Sequence, residues 1–170
     1  MKRNRLMQGF GYGGLAVLAI SLVISCQEDN SAQNITKGEL VKDSVSGMMA
    51  NIASDITNNG PSAWLNYFED TTSFFMASDG QLAFQNHQSA KLFIEGTLVK
   101  SIRHINLHWF HLRIDSLTPR LATIGADFQE ELTDTAGKIV APNGYFTGLA
   151  EQTNHGWRLR NAHWSILKIK

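Results

Sequence analysis

A carboxylate in the middle of a predicted strand is the first candidate for chemistry in this sequence. Asp127 lies within residues 120–132, whose pattern predicts a strand, and Asp is disfavoured inside strands. Because side chains alternate along a strand, Asp127 lies on the face opposite Ala126 and Phe128. That apolar face is the obvious core face. The alternation therefore favours a solvated or dimer-facing position for Asp127 over a position inside a pocket.

Two histidines on another predicted strand raise the question of a metal site. His104 and His108 share one face of a strand predicted over 102–115, but residues four apart on a strand are about 13 Å apart. No carboxylate or Cys lies at ligand spacing beside them. We therefore expect neither a metal nor another cofactor. From Phe110 onward apolar residues occupy the histidine face, so a bulge could exchange the two faces there.

Cys26 is the only Cys in the chain, and it directly follows a segment typical of a secretory signal peptide, residues 1–25. The first five residues include three basic ones, and residues 10–24 are apolar or small. That run is shorter than the roughly 20 residues that a membrane-spanning helix needs. Residues 22–26, LVISC, resemble a bacterial lipobox, which implies cleavage before Cys26 and a lipid on its thiol. An uncleaved signal anchor is the alternative.

Charge and length limit the classes of partner. The chain has 15 basic and 15 acidic residues, and residues 1–25 hold three of the basic ones and none of the acidic ones. Residues 26–170 therefore carry a net charge of −3, with the basic residues scattered. Nucleic acid is not an expected partner. The remaining length suits one domain with its own core.

The first half of the mature chain is predicted to be helical. Residues 26–35 are polar and are interpreted as a tether, in which two early acids resemble a surface-sorting signal or simply belong to a linker. A capping box at Thr36 predicts a helix start, and an apolar stripe at helical spacing follows, ending at Ile56. Gly60 and Pro61 then end the helix, and Pro61 suits the first turn of a short helix that carries Trp64.

The second half is predicted to be mostly strands. Residues 72–77 and 81–84 form a hairpin around Asp79-Gly80, and a third helix runs from about 86 to 100. Four long strands follow, predicted at 102–115, 120–132, 138–153 and 156–168. Helices gathered before antiparallel strands indicate an α+β fold.

Several segments together resemble the nuclear transport factor 2-like fold over residues 36–168, within a domain assigned to 36–170. These segments are WLNYF at 64–68, Asp79-Gly80, LTPRLA at 117–122, GWRL at 156–159 and HWS at 163–165. The resemblance implies a cone-shaped fold with N-terminal helices packed on a curved antiparallel sheet. Ketosteroid isomerases, SnoaL-like polyketide cyclases and dehydratases share this fold, so it implies no single activity.

The resemblance also implies candidate catalytic residues. Isomerases and cyclases of this kind need a carboxylate base in the cone, with a Tyr, His or protonated acid that stabilises an enolate. Asp127 is the candidate base, and His163 or Tyr145 is the candidate partner. A structural His paired to a neighbouring strand is the alternative for His163. Tyr145 stands where the family often has Arg, which counts against a carboxylate or phosphate ligand.

The cone implied by this fold accepts small apolar molecules. Its candidate lining residues are Trp64, Tyr67, Phe75 and Thr147, although aromatic residues on a short helix are more often plain core. Three functions follow from these patterns. We favour a ligand-binding domain anchored by lipid in the cell envelope, at the outer membrane or cell surface. The alternatives are a cofactor-free enzyme of the isomerase, cyclase or dehydratase type, and a structural homodimer formed through the sheet.

Overall fold

The computed structural model describes residues 27–168, in which helices come first and strands follow. Its compact unit begins at Ile35. The helical elements are α1 (Gln27–Asn59), a 3₁₀ helix (Pro61–Asn66), α2 (His87–Phe93), a π-helical turn (Ile94–Leu98) and α3 (Val99–Ser101). The strands are β1 (Phe75–Ser78), β2 (Gln81–Phe84), β3 (Ile102–Thr118), β4 (Leu121–Asp134), β5 (Ile139–Val140), β6 (Asn143–Thr153) and β7 (Gly156–Ile166).

Helix α1 begins earlier than its capping motif predicts. It starts at Gln27 and not near Thr36, so the residues interpreted as a tether are helical in backbone. Residues 27–35 contain neither Gly nor Pro, so nothing in them breaks a helix. Cys26 and the predicted signal peptide lie outside the described residues. No helix within 27–168 combines the length and apolar character needed to cross a membrane.

The end of α1 agrees with the prediction. Gly60 adopts a φ of 78°, and its N–H donates to the carbonyl of Ile56 at 2.9 Å. This left-handed conformation favours Gly, because other residues carry a Cβ that crowds the backbone. Pro61 then occupies the start of the 3₁₀ helix, where its missing N–H costs nothing.

The strands form one strongly curled mixed sheet in the order β2-β1-β7-β6-β4-β3, with β5 paired to β4. Every pair is antiparallel except β1 and β7, which run parallel. The four long strands are antiparallel as predicted, and β1 adds one parallel pair to the sheet. β1 and β7 are far apart in sequence, so no short turn fixes their relative direction.

The strand predicted at 138–153 is divided into β5 and β6. Ala141 and Pro142 separate the two pieces, because Pro has no N–H to give to a sheet. The carbonyl of Pro142 instead accepts a hydrogen bond from the backbone N–H of Glu130 at 2.9 Å. This contact fixes the backbone of β4 at Glu130.

The core lies between α1 and the inner face of the sheet. The apolar stripe of α1 is buried and clusters with the inward side chains of β4. The indole N–H of Trp109 on β3 donates to the carbonyl of Met49 on α1 at 2.9 Å, which ties the helix to the sheet. Each fully buried Val, Ile, Met or Phe contributes about 1.5–3 kcal/mol, so this stripe is the main stabilising contact of α1.

A bulge in β3 exchanges its faces, as the sequence pattern suggested. The pairing with β4 shifts register between Phe110 and Arg113, and His111 has a positive φ of 49°. Leu107 points inward before the bulge and Leu112 points inward after it, although they differ in parity. The extra residue thus keeps apolar side chains on the core face along all of β3.

Candidate functional site

An apolar cavity of about 420 Å³ lies between the helices and the inner face of the sheet. Its walls come from the 3₁₀ helix, the helical segment of residues 87–101 and six strands, β1, β2, β3, β4, β6 and β7. Aromatic side chains dominate the lining: Trp64, Phe68, Phe84, Phe93, Phe146 and Trp164. The volume falls in the range of known small-molecule sites. This cavity is the cone that the sequence predicted, and Trp64 lines it as expected.

Glu130 is the one ionisable side chain on the cavity wall among the residues described there. It is 9% exposed, the only polar or charged residue in the buried set between 36 and 168. Its carboxylate makes no hydrogen bond or ion pair with any described residue. Burial alone raises the pKa of Glu130 to about 7. A carboxyl group that titrates near neutral pH inside an apolar cavity is a candidate functional group.

The sequence predictions missed Glu130, although the signal was present. Ala126 and Phe128 define the inner face of β4, and the same alternation places Glu130 inward. The aromatic and aliphatic residues of the core surround this position, so its carboxylate is desolvated. Asp127 lies in the middle of the same strand, three residues before Glu130, and was the carboxylate that the sequence predicted as the base.

Ser78 is the other polar side chain that lines the cavity within the described chain. It lies at the end of β1, where it is the register partner of Trp164 on the parallel strand β7. The cavity therefore offers a carboxyl group, a hydroxyl group and a large apolar surface.

Four of the predicted site residues lie on the outer face of the sheet and not in the cone. Asp127 is the register partner of Tyr145, and Thr147 is the register partner of His163. Their neighbours along each strand, such as Phe146 and Trp164, are the ones that point into the core. Alternation is the physical reason, and it agrees with the outward position that the sequence favoured for Asp127. The geometry required for catalysis in the cone by Asp127, His163 or Tyr145 is absent.

Two other predicted lining residues also lie outside the cavity. Tyr67 is buried, and its hydroxyl donates to the carboxylate of Asp55, so it joins the short-helix region to α1. Burial, with Asp55 adding to it, raises the pKa of Tyr67 above its usual range. Phe75 is 45% exposed, because its neighbours Phe74 and Met76 take the inward positions on either side of it.

A second depression, an open groove of about 760 Å³, lies on the outer face. Asp127 and His111 meet in it, with the carboxylate Oδ2 and the ring Nδ1 2.7 Å apart. The β3 bulge turns the His111 side chain toward β4, yet 86% of that side chain and 48% of the Asp127 side chain stay exposed. Tyr145 lies across Gly125, where an added Cβ would meet its hydroxyl at 2.7 Å. The groove is open to solvent, and the Asp127 carboxylate in it is already paired with His111.

His104 and His108 of β3 belong to no cluster of metal-binding side chains within the described residues. His104 and His108 are exposed on the outer face. Between residues 27 and 168 there is no group of three or more His, Cys, Asp or Glu side chains that could hold a metal ion.

Known structures share this architecture at low sequence identity. A nuclear transport factor 2-like superfamily protein from Salmonella enterica serovar Typhimurium matches with a TM-score of 0.66 and 15% identity, over 78% of this chain and 94% of that one. A putative scytalone dehydratase from Novosphingobium aromaticivorans gives 0.67 and 15%, over 78% and 89%. A hexachlorocyclohexane dehydrochlorinase from Novosphingobium barchaimii gives 0.61 and 7%, over 77% and 89%. Neither a family model nor a curated protein sequence matches the chain.

Proposed function

Since the chain has the nuclear transport factor 2-like fold, we propose that it is a binding domain whose cone takes up a small, mostly apolar molecule. The observation that carries the proposal is the aromatic-lined cavity of about 420 Å³. Large apolar side chains left in contact with open space lose dispersion and hydrophobic stabilisation. A ligand that fills the space restores these contacts, and its own apolar surface leaves water.

Blocking the cavity mouth tests this proposal. Ala83 on β2 is exposed and still lines the cavity, so Ala83→Trp is expected to fill the entrance without disturbing the core. The probe is the neutral fluorophore N-phenylnaphthylamine, whose emission rises in apolar sites. We expect saturable binding to the wild-type protein and at least about a tenfold loss of affinity in Ala83→Trp.

The matched control places the same side chain elsewhere. Ala136 lies in the turn between β4 and β5, is exposed, and lines neither the cavity nor the outer groove. Ala136→Trp is expected to bind the probe like the wild-type protein. Equal probe binding by Ala83→Trp and the wild-type protein would show that the probe binds elsewhere and would reject the cone as the site.

We also propose that the mature protein begins at a lipid-modified Cys26 and is held in the cell envelope. The support is the sequence alone: a basic start, an apolar run and LVISC at residues 22–26. More than one acyl chain makes such an anchor effectively stable. Metabolic labelling with palmitate is expected to mark the wild-type protein in the membrane fraction and to leave Cys26→Ser unlabelled. Ser25→Ala, which keeps a small residue before the cut, is expected to stay labelled; labelled Cys26→Ser would contradict the proposal.

An isomerase- or dehydratase-type enzyme is the second candidate, and Glu130 is the observation that favours it. In this version Glu130 replaces Asp127 as the base, because its carboxyl lies in the cone and has a pKa near 7. Ser78 is the hydroxyl that could donate to a developing enolate. Accelerated exchange of the α-protons of a small apolar ketone in D₂O, lost in Glu130→Gln and kept in Asp127→Asn, would support it. No acceleration over buffer across a panel of such ketones would count against it.

A further inference from the structure

We propose that the natural ligand of the cone carries a cationic amine on an apolar body and that Glu130 is its counterion. This inference rests on the proposed binding function and deepens it, because it names the chemical class of the ligand. It is drawn from three features of the cavity: an unpartnered carboxylate, the absence of any competing charge on the wall, and the arrangement of the aromatic rings.

Glu130 is 9% exposed as a residue, and its carboxylate lacks a partner within the described chain. Its backbone N–H is already used by the carbonyl of Pro142, so the main chain there is fixed while the side chain is free to interact. Buried polar groups in folded proteins are nearly always hydrogen-bonded, and an unpaired one costs free energy. A ligand that donates to this carboxylate recovers that cost, which gives the cavity a preference for donors over purely apolar molecules.

No group on the wall can neutralise Glu130. The 3₁₀ helix, β1, β2, the helical segment of residues 87–101, β3, β6 and β7 contribute only apolar side chains and Ser78 among the lining residues described. None of these side chains is titratable, so no Lys, Arg or His among the described lining residues competes with a ligand cation. The same feature disfavours anionic ligands, because a carboxylate or phosphate would meet Glu130 without any compensating positive charge.

The aromatic rings favour a cation over a neutral donor. Trp64 and Trp164 lie with ring centroids 5.7 Å apart and nearly perpendicular, and Trp164 is also nearly perpendicular to Phe146 at 5.7 Å. Perpendicular rings present π faces in different directions around the same space. The negative face of an aromatic ring attracts an ammonium group, most strongly when water is excluded. A carboxylate that lines the same cavity as several aromatic rings is thus the composition of a site for a protonated amine.

A matched pair of ligands separates the amine from its apolar body. Naphthylethylamine and naphthylethanol have the same skeleton, and only the first carries a positive charge at pH 8. Isothermal titration calorimetry at this pH is expected to show that the wild-type protein binds the amine about tenfold or more tightly than the alcohol, as for a charge-assisted hydrogen bond. In Glu130→Gln the amine is expected to lose that advantage, while the alcohol stays within about twofold of its wild-type affinity.

Asp127→Asn is the control for a carboxylate removed from the same strand but from the outer face, and it is expected to bind both molecules as the wild-type protein does. If the alcohol binds as tightly as the amine, the amine inference is overturned while the apolar binding function stands. If neither molecule binds the wild-type protein, and the neutral fluorophore does not bind either, both proposals fail. Amine binding that Glu130→Gln leaves unchanged but Asp127→Asn weakens would assign the amine to the outer groove and overturn the inference.

Discussion

Glu130 and Asp127 are two carboxylates on one strand, three residues apart, and they lie in opposite environments. Glu130 faces the cone, is 9% exposed and has no partner among the described residues. Asp127 faces the outer groove, has 48% of its side chain exposed and contacts His111 at 2.7 Å. The odd and even positions of a strand point to different faces, so sequence parity alone separates these environments.

The environment, and not the residue type, decides which of these two carboxylates, Glu130 or Asp127, can carry a function. Asp127 is solvated and paired, so its charge is screened and its interaction with His111 is weak. Glu130 is desolvated, and its interactions with a bound group are therefore stronger. Variants that add a buried carboxylate, remove that of Glu130 or break the contact of Asp127 with His111 test this difference, and the largest expected effect comes first.

Placing a carboxylate on the inner face away from the cavity is expected to have the largest effect. Ala126 is fully buried on the inner face of β4, between Gly125 and Asp127 in the sequence, and does not line the cavity. Ala126→Asp buries a charge with neither a partner nor open space, so we expect a loss of more than about 4 kcal/mol in the free energy of unfolding, or failure to fold. Urea denaturation followed by Trp fluorescence measures it. Thr123→Asp on the outer face is the control. Because it places an Asp in a strand and opposite Asp115, the expected loss is up to about 2 kcal/mol. Similar losses in both variants would contradict the face assignment.

Removing the charge of Glu130 is expected to stabilise the protein at alkaline pH. The pKa of Glu130 is raised from 4.5 to about 7 by burial, so between these values the folded protein keeps a proton that the unfolded chain has lost. The stability contributed by this group is therefore fully present below pH 4.5, falls as pH rises through 7, and is constant above that.

At pH 8 the loss amounts to about 3 kcal/mol, since each pKa unit corresponds to about 1.4 kcal/mol. Glu130→Gln does not titrate, so we expect it to be more stable than the wild-type protein at pH 8 by up to this amount, with the difference shrinking toward pH 4. Thermal or urea unfolding across this pH range measures it. A pH-independent difference between the two proteins would show that Glu130 does not titrate abnormally.

The contact between His111 and Asp127 on the outer face is expected to contribute little to stability. His111 and Asp127 are close, but both side chains are well exposed to solvent. A double-mutant cycle with His111→Ala and Asp127→Asn is expected to give a coupling free energy of no more than about 1 kcal/mol, smaller still at high salt. Urea denaturation of the four proteins at low and high salt measures this coupling. A coupling above about 2 kcal/mol would place Asp127 in a more desolvated environment than the structure gives it.

Substitutions that block self-association through the outer face are expected to have the smallest effect on the stability of the single chain. Phe110 and Tyr145 are exposed in the outer groove, and a homodimer formed through the sheet stays a prediction of the sequence. Phe110→Ser with Tyr145→Ser is expected to leave the free energy of unfolding within about 1 kcal/mol. Sedimentation velocity at several concentrations is expected to show a dimer for the wild-type protein and a monomer for the variant. A monomeric wild-type protein would reject the dimer.

Most of the fold could be predicted from local patterns. The buried stripe of α1 and the Gly60-Pro61 stop are local signals, and the sequence places them correctly, as it does the turn at Asp79-Gly80, where both residues have positive φ. The parallel pairing of β1 with β7 could not be predicted, because it joins segments that no turn connects. The break between β5 and β6 could have been predicted from Pro142, which has no N–H to give to a sheet, but one continuous strand was predicted there.

Only part of the candidate site could be predicted from the sequence. Trp64, one of the predicted lining residues, lines the cavity, whereas Tyr67 of the same short-helix region does not. Glu130 was not selected, since a Glu is almost never buried without a partner and the pattern alone gives no reason to expect it inside. The resemblance to known enzymes indicates Asp127, His163 and Tyr145 as site residues, although alternation along the strand already favours an outward position for Asp127.

The bulge in β3 also has a consequence for how this protein can change over generations. The sheet absorbs the extra residue at His111 within a few positions, so the strand resumes its pairing with β4 at Arg113. A gain or loss of one residue at this point alters the outer groove and leaves the register of the remaining strand intact. Insertions and deletions tolerated by descendants of this sequence should therefore concentrate there, and the outer surface can diversify while the lining of the cone is inherited unchanged.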